Sequence, residues 1–126
     1  MTPQLCNFNQ SKALKALGYS WITCDYFMGS GRNYFTVSPK NHNNPMITKE
    51  MYSRPTVQDA IRWFRVEKGV HGWVESNWHF EGFRFLFSIG TSFYPWKQTF
   101  EGFKSHDSAE NALLNRLIEI SNQEKA

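Results

Sequence analysis

Twice along this chain, 52 residues apart, apolar and polar side chains alternate on either side of a glycine-bearing step, and this doubling limits the fold more than any other feature. A shift of 52 residues lays "SWITCDYFMGSGRNYFTVS" on "GWVESNWHFEGFRFLFSIG" without a gap. Trp21 then falls on Trp73, Ile22 on Val74, Tyr26 on Trp78, Met28 on Phe80, Arg32 on Arg84, Phe35 on Phe87 and Val37 on Ile89. The same offset continues into Met51 on Phe103, Ser53 on Ser105, Ala60 on Ala112 and Ile61 on Leu113.

Each copy reads as two alternating strands, a short third strand and a helix. In the first copy residues 20–28 and 31–38 meet at Gly29-Ser30, where glycine at the first central position suits a type II′ turn. In the second copy residues 70–80 and 83–89 meet at Glu81-Gly82. Two-residue turns pair Ile22 with Val37, Cys24 with Phe35, Val74 with Ile89 and Trp78 with Phe85, apolar against apolar on one face. Phe80, Phe83, Phe85 and Phe87 join them as expected core. Thr56 ahead of Asp59, and Ser108 ahead of Asn111, place a hydroxyl at a helix start with a polar side chain three residues on. Val57, Ala60, Ile61 and Phe64 form one helical stripe, and Ala109, Ala112, Leu113, Leu117 and Ile120 another. A shorter helix over residues 9–17, with Ala13, Leu14 and Leu17 inward, comes first. The expected fold is therefore α+β, with duplicated βββα units in α-βββ-α-βββ-α order and helices packed on one face of antiparallel sheet. Its 126 residues suit a single domain, with the repeats at 18–68 and 70–122.

Hydrophobic residues at 40% against 20% charged ones describe a chain that folds rather than stays disordered. No apolar run is long enough for a membrane helix or a signal peptide, so a cytoplasmic location is expected. Cys6 and Cys24 lack metal or redox spacing, and Cys24 reads as a small buried hydrophobe. The charge is uneven. Residues 1–74 hold nine Lys/Arg against four Asp/Glu and residues 75–126 five against seven, so a polyanion would prefer the first half.

The face turned away from the expected core holds the candidate site. Alternation sends Trp21, Thr23, Asp25 and Phe27 outward beside Arg32, Tyr34 and Thr36, and sends His71, Trp73, Glu75, Asn77 and His79 outward beside Arg84 and Leu86. Phe27 opposite Arg32, and His79 opposite Arg84, would each stack a cation on a ring at a hairpin tip. A second candidate is the loop "GTSFYPWK", with Phe93, Tyr94 and Trp96 around Pro95. Exposed Trp, Tyr and Arg suit a protein partner or a homodimer, and a nucleic acid is the alternative, using Arg32, Lys40, Lys49 and Arg54 for phosphates. No nucleophile elbow, zinc-protease helix, phosphate-binding loop or dinucleotide fingerprint is present. His71 and His79, eight strand residues apart, would stand about 26 Å from each other, too far to share an ion. No catalytic residue, cofactor, metal, membrane contact or small-molecule substrate is therefore expected.

The segments "DAIRWFRVEKGVHGWVES" and "SHDSAENALLNRLIEI" resemble short uncharacterised proteins of phages and mobile elements of gut Bacteroidetes, through Trp63, Lys68 and Gly69, and through Ser108, Glu110, Ala112 and Leu113. That likeness spans residues 56–122 and implies a phage or mobile-element origin but no activity. The α-βββ-α order expected there also resembles the double-stranded-RNA-binding domain, whose last helix begins with a phosphate-gripping lysine cluster. The matching positions here are Lys104, Ser105, His106, Asp107, Ser108 and Glu110, a departure that removes the clamp and leaves the topology.

Overall fold

The computed structural model describes residues 3–44, 50–76, 82–89, 92–95 and 103–125. The chain divides into two compact units, Met1–Thr56 and Val57–Ala126. Both mix helix with antiparallel sheet, as an α+β chain should, and the elements run α-βββ-α-βββ-α. No described helix is long and apolar enough to cross a membrane.

In the first unit, helix α1 (Phe8–Leu17) starts at a reciprocal cap: the Asn7 side chain accepts the Gln10 N–H at 2.8 Å, and the Gln10 side-chain Oε1 accepts the Asn7 N–H at 2.9 Å. Leu14 and Leu17 are buried, as their spacing requires. Strands β1 (Thr23–Met28), β2 (Asn33–Lys40) and β3 (Met51–Ser53) form one sheet in the order β2-β1-β3. The β1–β2 connection differs from expectation. The Gly31 N–H bonds the Met28 carbonyl at 2.7 Å and the Met28 N–H bonds the Arg32 carbonyl at 3.0 Å, so the loop holds residues 29–31, with Gly31 taking the left-handed conformation at φ 82°. One extra loop residue slides the register by one: Asp25 faces Phe35, Tyr26 faces Tyr34 and Phe27 faces Asn33. Cys24 does not face Phe35, and Ile22 does not face Val37. Between Phe35 and Lys40 the register breaks again, with Cys24 alone in β1 set against Thr36, Val37, Ser38 and Pro39 in β2.

On β1 the covered face is the opposite of the expected one, whereas Phe35, across from Asp25, shares the Phe27 face but stands out on the edge strand. Thr23 and Phe27 are buried while Ile22, Phe35 and Val37 are exposed. The Phe8 ring of α1 lies 5.4 Å from Phe27 and 5.6 Å from Tyr52, and the Arg54 guanidinium covers Phe27 at 4.7 Å. The helix thus settled on the odd-numbered side chains of β1.

In the second unit, α2 (Val57–Trp63) runs on into a π turn, Phe64–Lys68, ended by Gly69 at φ 67°. Strands β4 (Val70–Ser76), β5 (Phe83–Ile89) and β6 (Ser92–Pro95) form a sheet in the order β4-β5-β6, and α3 (His106–Lys125) packs on β4 and β5. Val74 faces Phe85 and Val70 faces Ile89, so the β4–β5 connection spans residues 77–82 rather than Glu81-Gly82 alone. Because this slip of four is even, the covered face survives: Val70, Phe85 and Phe87 are buried. Leu86, expected outward, is buried too. Gly72 lets α3 settle close, since a Cβ there would stand 2.8 Å from a Leu113 methyl. The hydroxyl that caps α3 is Ser105, whose Oγ accepts the Ser108 N–H at 3.1 Å, so the helix begins ahead of the expected Ser108. Trp78 and Phe80, expected core residues, lie outside the described residues. Strand β1 is the central strand of one sheet and β5 of the other.

Candidate binding surface

Strand β2 sits at the edge of the first sheet, hydrogen-bonded to β1 alone among the described strands. Almost every residue along it is exposed. Phe35 keeps 65% of its surface in water, Val37 87% and nearby Ile22 68%. Phe35 and Val37 stand on one edge strand and Ile22 just ahead of its neighbour β1, and large apolar side chains exposed in this way mark a contact surface.

Behind this edge stands a ladder of rings. Tyr34 of β2 stacks on Tyr26 of β1 at 5.6 Å and 17°, and Tyr26 stacks on its other side against His42 at 4.4 Å and 24°. The Arg32 guanidinium lies 5.8 Å from the Tyr34 ring. His42 is buried, with Nε2 3.0 Å from the Thr23 carbonyl oxygen and its backbone N–H donating to Ser53 Oγ at 3.1 Å. Asn43 locks the same turn: its Nδ2 donates to the Tyr19 carbonyl at 3.0 Å, and its Oδ1 accepts the Ser53 N–H at 2.8 Å. Burial pushes the His42 pKa down, the Thr23 carbonyl opposes that, and the charge of Lys40 adds to it.

The expected contact residues scatter. Arg32 and Tyr34 are exposed on the β2 side, as anticipated. Phe27 is a correction: it lies in the core under Phe8 and Arg54, and it faces Asn33 rather than Arg32. Trp21 is half-buried, its ring 6.1 Å from Tyr19, and Trp73 is half-buried with His71 at its edge. Arg84 faces Glu75, not His79, and its Nε donates to Glu75 Oε1 at 2.7 Å. His79 and Trp96 lie outside the described residues, and of Phe93 and Tyr94 the structure describes only the backbone, in β6. Of the residues Arg32, Lys40, Lys49 and Arg54 considered for phosphates, Arg54 is spent on Phe27 and on the Cys6 carbonyl, 2.6 Å from its Nε, and Lys49 is outside the described residues.

Ile22, Phe35 and Val37 were missed because alternation assigned them to the core. Pro39 was the available signal, since proline within a strand belongs at an edge. Among the described residues, one group of metal-ligating side chains comes together: His106, Asp107 and Glu110, with donor atoms within 4.8 Å of one another. Asp107 lies in the first turn of α3, where a carboxylate favours the helix dipole, and Glu110 stands one turn on, its Oε1 3.2 Å from His106 Nδ1 as an i,i+4 pair, so the arrangement is accounted for without an ion. Set against families of known proteins, curated proteins and solved structures, the chain finds no match in any of the three.

Proposed function

We propose that this is a non-enzymatic binding protein that engages another protein through the exposed edge strand β2 of its first unit. The observation that carries the reading is the exposure of Phe35, Val37 and Ile22 on and beside a strand whose outer edge has no strand beside it among the described residues. Burying side chains of that size contributes about 1.5–3 kcal/mol each, enough for two or three anchors to hold a partner. A nucleic acid is the second reading, favoured by the stacked Tyr26 and Tyr34 beside Arg32. It has less support. Both faces of Tyr26 are covered, by His42 and by Tyr34, and the aliphatic Ile22 and Val37 offer a base nothing to stack on. A cytoplasmic setting and a phage or mobile-element origin complete the proposal, the latter resting on the likeness over residues 56–122. The recurring element order supports descent from a doubled βββα unit, which must then have changed its central strand.

A photocrosslinking amino acid in place of Phe35 tests the reading in cells. Adducts destroyed by protease, and suppressed by excess wild-type protein but not by a Phe35→Ser, Val37→Ser variant, are expected. Adducts destroyed by nuclease instead would overturn it.

A further inference from the structure

We propose that the partner presents an acidic, extended segment that joins the first sheet as a further strand along Asn33–Phe35 of β2. This rests on the protein-binding reading above and adds the partner's chemistry. Three observations converge. The outer edge of β2 is open: among the described residues no strand pairs with it, and no backbone bond outside the β1 ladder involves Asn33, Tyr34, Phe35 or Thr36. An unpaired row of amides and carbonyls is a template for an added strand, with main-chain bonds giving affinity and alternate side chains giving selectivity.

The length of the strip is set by the same strand. Beyond Phe35 the register breaks, the Ser38 N–H is taken by Thr36 Oγ1 at 3.2 Å, and Pro39 has no N–H to offer, so about three residues can be paired. The charge is also one-sided. No Asp or Glu occurs in residues 26–49, and Arg32 and Lys40 are exposed at the two ends of β2. The flanking acids are Asp25, half-buried one strand inward with the Arg54 N–H donating to its carbonyl, and Glu50, which is exposed and lies against Gly29 in the β1–β2 turn rather than along β2. An incoming strand with carboxylates near Arg32 and Lys40 and an apolar residue beside Phe35 matches this edge; a basic strand would meet like charge at both ends.

Fluorescence anisotropy of the full chain with labelled synthetic peptides tests this. The probes are an alternating Glu–Val octapeptide, its Lys–Val counterpart, Glu–Val versions N-methylated at alternate residues in either phase, and oligothymidylate. The Glu–Val peptide is expected to bind, the Lys–Val peptide to bind at least about tenfold more weakly, and one N-methylated phase to lose binding. Phe35→Ser, and separately Arg32→Glu with Lys40→Glu, are expected to weaken the Glu–Val complex about tenfold or more; these exposed positions leave the core untouched, which circular dichroism checks. Equal binding of the Lys–Val peptide, undiminished binding of both N-methylated phases, or no peptide binding overturns the acidic-strand inference and leaves a protein partner standing. Oligothymidylate binding that displaces the peptide overturns both.

Discussion

His42 shows how one side chain can tie a loop to a sheet. Its Nε2 meets the Thr23 carbonyl, while Nδ1 is buried with no hydrogen-bond partner among the described residues, so a second proton on the ring would be both desolvated and unbonded. Its pKa therefore falls below the ordinary 6.5 in the folded chain. Because the folded value is the lower one, the unfolded chain takes up the proton first. The stability held by the neutral ring is complete above about pH 6.5 and is lost as pH falls toward the lowered value. Urea midpoints for wild type and His42→Gln should accordingly converge on acidification, and parallel curves would remove His42 as the cause. Gly31 has a different task. At φ 82°, with Phe8 Cδ2 only 3.2 Å from where a Cβ would stand, Gly31→Ala should cost roughly 1–2 kcal/mol by chemical denaturation. At this scale the sequence was legible for Arg32 and Tyr34 but not for His42, whose burial depends on a loop returning to β1 and β3.

The elements were easier to read than their pairings. Helix stripes such as Leu14 with Leu17, and Leu113 with Leu117, foretell burial because a helix carries its own geometry. Strand faces depend on loop length. "GSG" offers two glycines, and the choice of Gly31 over Gly29 for positive φ added one residue to the turn and slid the register by one. Alternation also marks two faces without saying which one a helix will cover; α1 chose the side of Phe27 and Tyr52, and Phe35, on that same face across from Asp25, stays in water because it stands on the edge strand. These assignments predict a sharp contrast. Leu113→Ala, on the side of α3 set against β4, should cost about 2–5 kcal/mol, whereas Val37→Ala should stay within about 0.5 kcal/mol. Asn7→Ala should cost about 1 kcal/mol through the lost α1 cap, and all three follow from denaturant midpoints.

Across the whole molecule, core and charge are divided unequally. Among the described residues, the buried side chains of Cys6, Leu14, Leu17, Tyr19, Phe27 and Pro55 belong to the first unit, and a larger set from Val57 to Ile120 belongs to the second. The first unit also carries six Lys/Arg against two Asp/Glu, and the second eight against nine. A small unit with few apolar contacts opens more readily, so hydrogen exchange followed by mass spectrometry should find the amides of β4, β5 and α3 slower than those of β1 and β2. Equal protection in both would contradict that division. The irregular end of β2 has a final consequence. Flat, uninterrupted edges let copies of a chain stack without limit into fibrils, and an edge bearing Phe35 invites this; the bulged Thr36–Pro39 segment leaves only a few regular residues on that edge, a poor template for a second copy and so for filaments.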